Sequence, residues 1–258
     1  MRSNQGKNIV IKQLTMTSGL MLAAMFTAGG AHAGEVPAYI TAAVADSGRP
    51  AADTARDANR KPAESLAFAG VKQGQTIVDL MPGGGYFTRL FTKAVGPKGH
   101  VIALSSAGTP DKFSAPTKEI AAEAGYANVT AVVEKISALP PASADIFWTS
   151  LNYHDLHNFE GSDLLVINKA IFASLKPGGT YLVIDHADAP GTGTSNTNTL
   201  HRIDVAAVKK EVEDAGFKLA AESDLLKNPN DPHTAKVFDP SIRGKTDQFI
   251  LKFEKPKS

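Results

Sequence analysis

Five apolar runs of strand length, TIVDL (76–80), HVIAL (100–104), NVTAVV (128–133), DIFWTSL (145–151) and TYLVID (180–185), alternate with helical stretches at about 86–95, 114–124 and 162–175. Near-continuous apolar strands separated by helices form a parallel sheet covered on both faces, so the chain is restricted to a doubly wound α/β architecture. A further helix is expected over about 53–69, before the first strand. After the fifth strand the pattern changes. A helix at about 204–215, closed by Gly216, leads to FKLAAESDLL and then to TDQFILKF, two strand-like runs with no helix between them, which can pair antiparallel.

The N-terminus has a different character. Arg2, Lys7 and Lys12 precede the short apolar core LMLAAMFTA, and Ala31-His32-Ala33 offers small residues at a cleavage site, so residues 1–33 are expected to be a signal peptide and the mature protein to be periplasmic or secreted. Residues 34–52 read as an N-terminal arm and 53–258 as one domain. Without the leader, 24 basic residues face 26 acidic ones, a formal charge of −2, which argues against a nucleic-acid or polybasic membrane surface and for small-molecule partners. The absence of cysteine excludes disulfides, thiol catalysis and thiolate metal sites.

Between the first strand and the next helix lies Met81-Pro82-Gly83-Gly84-Gly85. In an open α/β sheet, ligands bind beyond the carboxyl ends of the strands, and glycines there let the backbone approach a ligand near a helix N-terminus. With Asp79 before the turn, LKPGG at 175–179 and Ala215-Gly216-Phe217, this pattern resembles the class I S-adenosylmethionine-dependent methyltransferases. More narrowly, PGGGYFTR, NYHDLH, DHADAPG, TLHRID and VFDPSIRGKTDQF resemble a group of exported bacterial predicted methyltransferases, from about residue 48 onward. The resemblance implies a Rossmann-like, seven-stranded, mostly parallel sheet with a terminal antiparallel pair, and S-adenosylmethionine as cofactor. Asp79, Gly83 and Gly85 match the family's first-turn motif, with Pro82 and Gly84 between, whereas Met81 stands where a glycine is usual. At the end of the second strand, Ser105 stands where family members commonly carry an acid for the ribose hydroxyls.

The fourth strand ends in Asn152-Tyr153-His154-Asp155-Leu156-His157 and the fifth in Asp185-His186-Ala187-Asp188, both expected on the rim that carries the glycine turn. Asn152 and Tyr153 are candidates to contact the cofactor. His154 is the candidate general base, oriented by Asp155 or Asp185, with His186 and Arg202 contacting substrate. Asp204 is expected to cap a helix, leaving His201 free to bind a polar substrate group. Residues 228–247 are expected to form a lid that brings Arg243 and Lys245 to the substrate. Tyr86, Phe87 and Trp148 are expected to be packing residues.

Methyl transfer to a small molecule is the reading that unites these features. One alternative keeps the fold and binds a nucleoside or other metabolite without transfer, which Met81 and Ser105 favour. Another is metal-dependent hydrolysis at the rim, where His154, His157, His186, His201 and His233 lie near Asp155, Asp185 and Asp188. No HExxH spacing is present, and no residue is assigned as a metal ligand on sequence grounds.

Overall fold

The computed structural model describes Met1 and residues 35–257. The leader read at 1–33 therefore lies, Met1 apart, outside the described residues. Seven strands form one sheet, β1 (Thr76–Leu80), β2 (His100–Ser106), β3 (Val129–Glu134), β4 (Ala144–Ser150), β5 (Leu175–His186), β6 (Lys218–Ser223) and β7 (Gln248–Glu254). Their order is β3-β2-β1-β4-β5-β7-β6. β1 pairs parallel with both β2 and β4, and β5 with β4, whereas β7 is antiparallel to β5 and β6. The expected Rossmann-like sheet with its antiparallel terminal pair is therefore the observed one. The strand order reverses between β1 and β4, which fixes the place for a ligand at their carboxyl ends.

Side chains alternate across the sheet with the period of two that a strand imposes. Ile77, Trp148, Leu182 and Ile184 enter one apolar layer, under the helices α1 (Ala38–Val44), α4 (Pro62–Ala69), α5 (Tyr86–Val95) and α6 (Asp111–Ala122). Val78, Phe147, Tyr181 and Val183 enter the other, under α7 (Leu164–Ser174) and α8 (Val205–Asp214). Phe87 and Phe91 pack on Trp148 with ring centroids 4.7 and 5.0 Å apart, so Phe87 and Trp148 belong to the core as expected; Tyr86 and Phe87 also line a cavity at the strand ends. Asp204 caps α8, its Oδ1 accepting from the Ala206 amide at 2.9 Å. Among the described residues no helix is long and apolar enough to cross a membrane.

Two N-terminal features differ from expectation. The arm at 34–52 contains α1, whose Ile40 and Ala43 are buried in the core. The helix expected over 53–69 is three short pieces, α2 (Ala51–Thr54), α3 (Asp57–Arg60) and α4. Proline disfavours right-handed helical backbone in the residue before it, which ends α3 at this point, and Lys61 stands in left-handed backbone (φ 44°) ahead of Pro62. That break lets α3 turn away from α4. Arg49 anchors α3 through a bidentate pair with Asp57 (2.8 and 2.7 Å), and the Tyr86 hydroxyl donates to the same carboxylate at 2.5 Å.

Candidate functional site

The ends of β1, β2 and β4 open into a cavity of about 630 Å³. The turn after β1 forms its floor. Met81, Gly83 and Gly85 all adopt left-handed backbone (φ 52°, 56° and 76°). Met81 thus keeps the conformation that glycine normally supplies, at a cost of about 1–2 kcal/mol for a residue with a Cβ. The turn is held from β4, because Asn152 Nδ2 donates to the carbonyls of Leu80 (3.1 Å) and Met81 (3.0 Å). A Cβ on Gly83 or Gly84 would meet nothing within 4 Å, so both present bare backbone to the cavity. Gly85 differs. It precedes α5 away from the cavity wall, and its left-handed backbone at φ 76° favours glycine, with a Cβ there also meeting the tip of Ile120 at 2.2 Å.

Asp79, Met81, Pro82, Gly83, Gly84, Ser105, Asn152 and Asp155 all line the cavity. The wall also holds residues that sequence reasoning missed. Arg56 and Arg60 of α3 stand on it, and Phe113 and Phe159 flank it with half-exposed rings. The Arg60 guanidinium lies 4.6 Å from the Tyr86 ring centroid and 5.6 Å from that of Phe87. Burial lowers its pKa to about 10, with Arg56 adding repulsion. An anionic ligand group would relieve both penalties.

Asp79 is buried, and its Oδ2 accepts from the Thr88 hydroxyl at 2.7 Å. Burial raises its pKa to about 7, against the lowering influence of Thr88 and Arg60. A carboxyl whose folded pKa is raised above its unfolded value contributes stability at low pH that is lost as pH rises through the folded value. Asp79→Asn should therefore melt above the parent at pH 8, by up to about 4 kcal/mol at 1.36 kcal/mol per pKa unit, and the gap should shrink below pH 7 and close only near pH 4. Thermal melts across that range check this; a gap that does not change with pH sinks it.

The rim residues divide differently. His154 is 2 % exposed, and its amide and Nδ1 both donate to Asp185, at 2.7 and 2.8 Å. Its Nε2 lies 3.3 Å from Asp155 Oδ1 and 3.2 Å from His201 Nδ1, and His201 Nδ1 is 3.2 Å from the same Asp155 oxygen. Burial opposes protonation of His154, but the flanking Asp185 and Asp155 outweigh it and push its pKa up to about 10. Burial likewise opposes ionisation of Asp155, yet His154 and His201 hold its carboxyl below the usual range. Of this group only Asp155 reaches the cavity wall. His154 stands behind it and meets no acceptor directly, which argues against its role as the base.

Several other expectations are corrected. Tyr153 is fully buried in the second core layer, its hydroxyl donating to Glu211 at 2.9 Å, and covers no ligand. Arg202 is fully buried too. It pairs bidentately with Asp231 (2.8 and 3.1 Å) and donates to the carbonyls of Ala187 and Ala235, so it is a structural cation rather than a substrate contact. His186 bonds Thr246 at 2.7 Å, and burial lowers its pKa to about 4, leaving it neutral and away from the wall. Arg243 and Lys245 are exposed and do not line the cavity. The segment expected to be a lid is pinned at its base, Asp231 accepting from the Asp247 amide at 2.7 Å and Asp247 meeting His233 at 3.0 Å.

A sheet of this order, with a glycine turn after β1 floored into a cavity at the switch point, defines the class I methyltransferase fold. Residues 60–220 match the ubiE/COQ5 methyltransferase family, and the chain belongs to that family. S-adenosylmethionine is the cofactor this membership implies. The chain is 31% identical over 122 residues to a ubiquinone/menaquinone biosynthesis C-methyltransferase, UbiE, of Pasteurella multocida; the match spans 47% of this chain and 43% of that protein. In fold it is similar to a SAM-dependent methyltransferase from Aquifex aeolicus (TM-score 0.56, 20% identity, 74% of this chain and 87% of that one). It is also similar to an arsenic(III) S-adenosylmethionine methyltransferase from Chlamydomonas reinhardtii (TM-score 0.53, 16% identity, 86% and 74%). The cavity fits such a cofactor, since open backbone at Gly83 and Gly84, the Ser105 hydroxyl and the Arg60 cation surround one space.

Proposed function

We propose that the chain transfers the methyl group of S-adenosylmethionine to an apolar small-molecule acceptor bound beside it in this cavity. The observation that carries the reading is that one space joins the glycine turn, Arg60 and Ser105 to a mouth flanked by Phe113 and Phe159. The cofactor's methionyl carboxylate goes to Arg60, through the planar fork that suits it. Ser105 bonds a ribose hydroxyl. The aromatic mouth takes the acceptor, which brings it from solvent toward the floor of the cavity.

The sulfonium is a ready leaving group, so the protein chiefly aligns acceptor and methyl group and excludes water. Asp155 lines the cavity, and in this reading it orients an acceptor hydroxyl or receives its proton. Asp155→Ala should lower kcat by about 100-fold, within the range for a positioned acid–base group, and leave S-adenosylhomocysteine affinity unchanged. The experiment combines calorimetric titration of residues 34–258 with S-adenosylmethionine and its demethylated product, then turnover assays with apolar hydroxylated acceptors. Absence of binding to either compound refutes the transfer reading and favours a fold retained for another ligand.

A further inference from the structure

Beyond the methyl-transfer site, the geometry points to a divalent metal site: we propose that His154 Nε2, His201 Nδ1 and Asp155 Oδ1 bind a zinc-class ion. The sequence gives no ligand spacing for it, since 154, 155 and 201 come together only where the turn after β4 meets the loop after β5. The three atoms form a nearly equilateral triangle with edges of 3.2, 3.3 and 3.2 Å. Zinc binds histidine nitrogen and carboxylate oxygen at about 2.0–2.2 Å, and a tetrahedral arrangement at those lengths separates its ligands by about 3.3–3.6 Å, just above the observed edges. The triangle is therefore one face of such a tetrahedron.

His154 Nδ1 donates to Asp185, which aims Nε2 at the triangle, and a bound cation takes the place of the Nε2 proton. Hydrogen bonds pair these three atoms two at a time, and all three converge on one point. A cation at that point satisfies all three. The surroundings match the outer shell that metal-bound histidines use, where a carboxylate accepts from the other ring nitrogen and fixes the tautomer. Asp185 fills that role from full burial and also holds the His154 amide.

The coordination is open on one side. His154 is buried, whereas the His201 and Asp155 side chains are 23% and 33% exposed, so the fourth position opens beside them. Asp155 also stands on the cavity wall, which places the ion next to the proposed acceptor space. A water or an acceptor oxygen completes the shell. His201 holds left-handed backbone at φ 55°, and its ring centroid lies 4.9 Å from that of Phe238.

The test uses the full chain and the metals alone. Protein stripped with chelator is dialysed against zinc, and bound metal is read by mass spectrometry; cobalt(II) is titrated separately for the visible bands of a tetrahedral ion. The expected result is about one equivalent of zinc and intense tetrahedral cobalt bands. His201→Ala and Asp155→Ala should each lose the bands and weaken zinc by 10-fold or more, the scale on which even an outer-shell partner acts. His201 is half-buried and outside both core layers, so its replacement leaves a folded protein for the comparison, verified by circular dichroism. Zinc below about 0.1 equivalent in the parent, or unaltered binding in the His201→Ala/Asp155→Ala double variant, overturns the site. Because the readouts are metal content and cobalt spectra, the outcome is separate from whether methyl transfer occurs.

Discussion

Arg202→Ala should destabilise the protein by about 3–5 kcal/mol, the cost of leaving one member of a buried ion pair without its partner. For a domain of this size that corresponds to a fall in Tm of roughly 10 °C. The guanidinium is fully buried, and its donors reach Asp231 twice and the carbonyls of Ala187 and Ala235. Ala187 follows β5, while Asp231 and Ala235 lie in the long connection between β6 and β7, so Arg202 ties that connection to the sheet. Its removal strands the Asp231 carboxylate, which is equally buried. Asp231→Ala added to Arg202→Ala should recover part of the loss, because no unpaired charge then remains. Cofactor affinity at low temperature should be unchanged throughout. Loss of cofactor or acceptor binding in a variant that retains the parental melting temperature would instead return Arg202 to the substrate site.

Arg60→Ala should weaken S-adenosylmethionine binding by about 30-fold. Hydrogen bonds to charged groups contribute about 1.5–3 kcal/mol, and 1.36 kcal/mol is one factor of ten. The cation is held over Tyr86 and Phe87, and it needs no rearrangement to receive a carboxylate. S-adenosylhomocysteine carries the same carboxylate without the sulfonium, so both ligands should weaken by the same factor. Calorimetry on the two ligands separates this from a general defect. A change in their affinity ratio, or no change in either, rejects the assignment.

The sheet was legible because buried parallel strands must be apolar along their length, and each of the five runs from β1 to β5 shows it. The site was legible where backbone chemistry decides. Gly83 and Gly84 stand on the cavity because bare backbone is what a ligand-facing turn requires. Side-chain direction at the strand ends was not legible, since one step along the chain reverses the face. Asn152 reaches the cavity while Tyr153, next to it, enters the core. Arg202 was misread for another reason: its partner lies 29 residues away in a loop, and no periodicity links them. Arg60 was missed because it belongs to a short helix before the first strand, in a stretch read as one continuous helix. Pro62 marked the break, and the left-handed Lys61 is its structural expression. Met81 shows the converse, a departure in residue type over an unchanged backbone.

The burial of Asp79 ties ligand binding to proton traffic. With a carboxyl that titrates at about 7 in the cavity wall, the empty protein near neutral pH is a mixture of protonated and ionised forms. A cationic ligand settling beside it selects the ionised form and expels the remaining fraction of a proton into the solvent. The heat evolved on binding then belongs to the protein and the buffer together, and the enthalpy recorded in one buffer differs from that in another while the affinity at fixed pH stays the same.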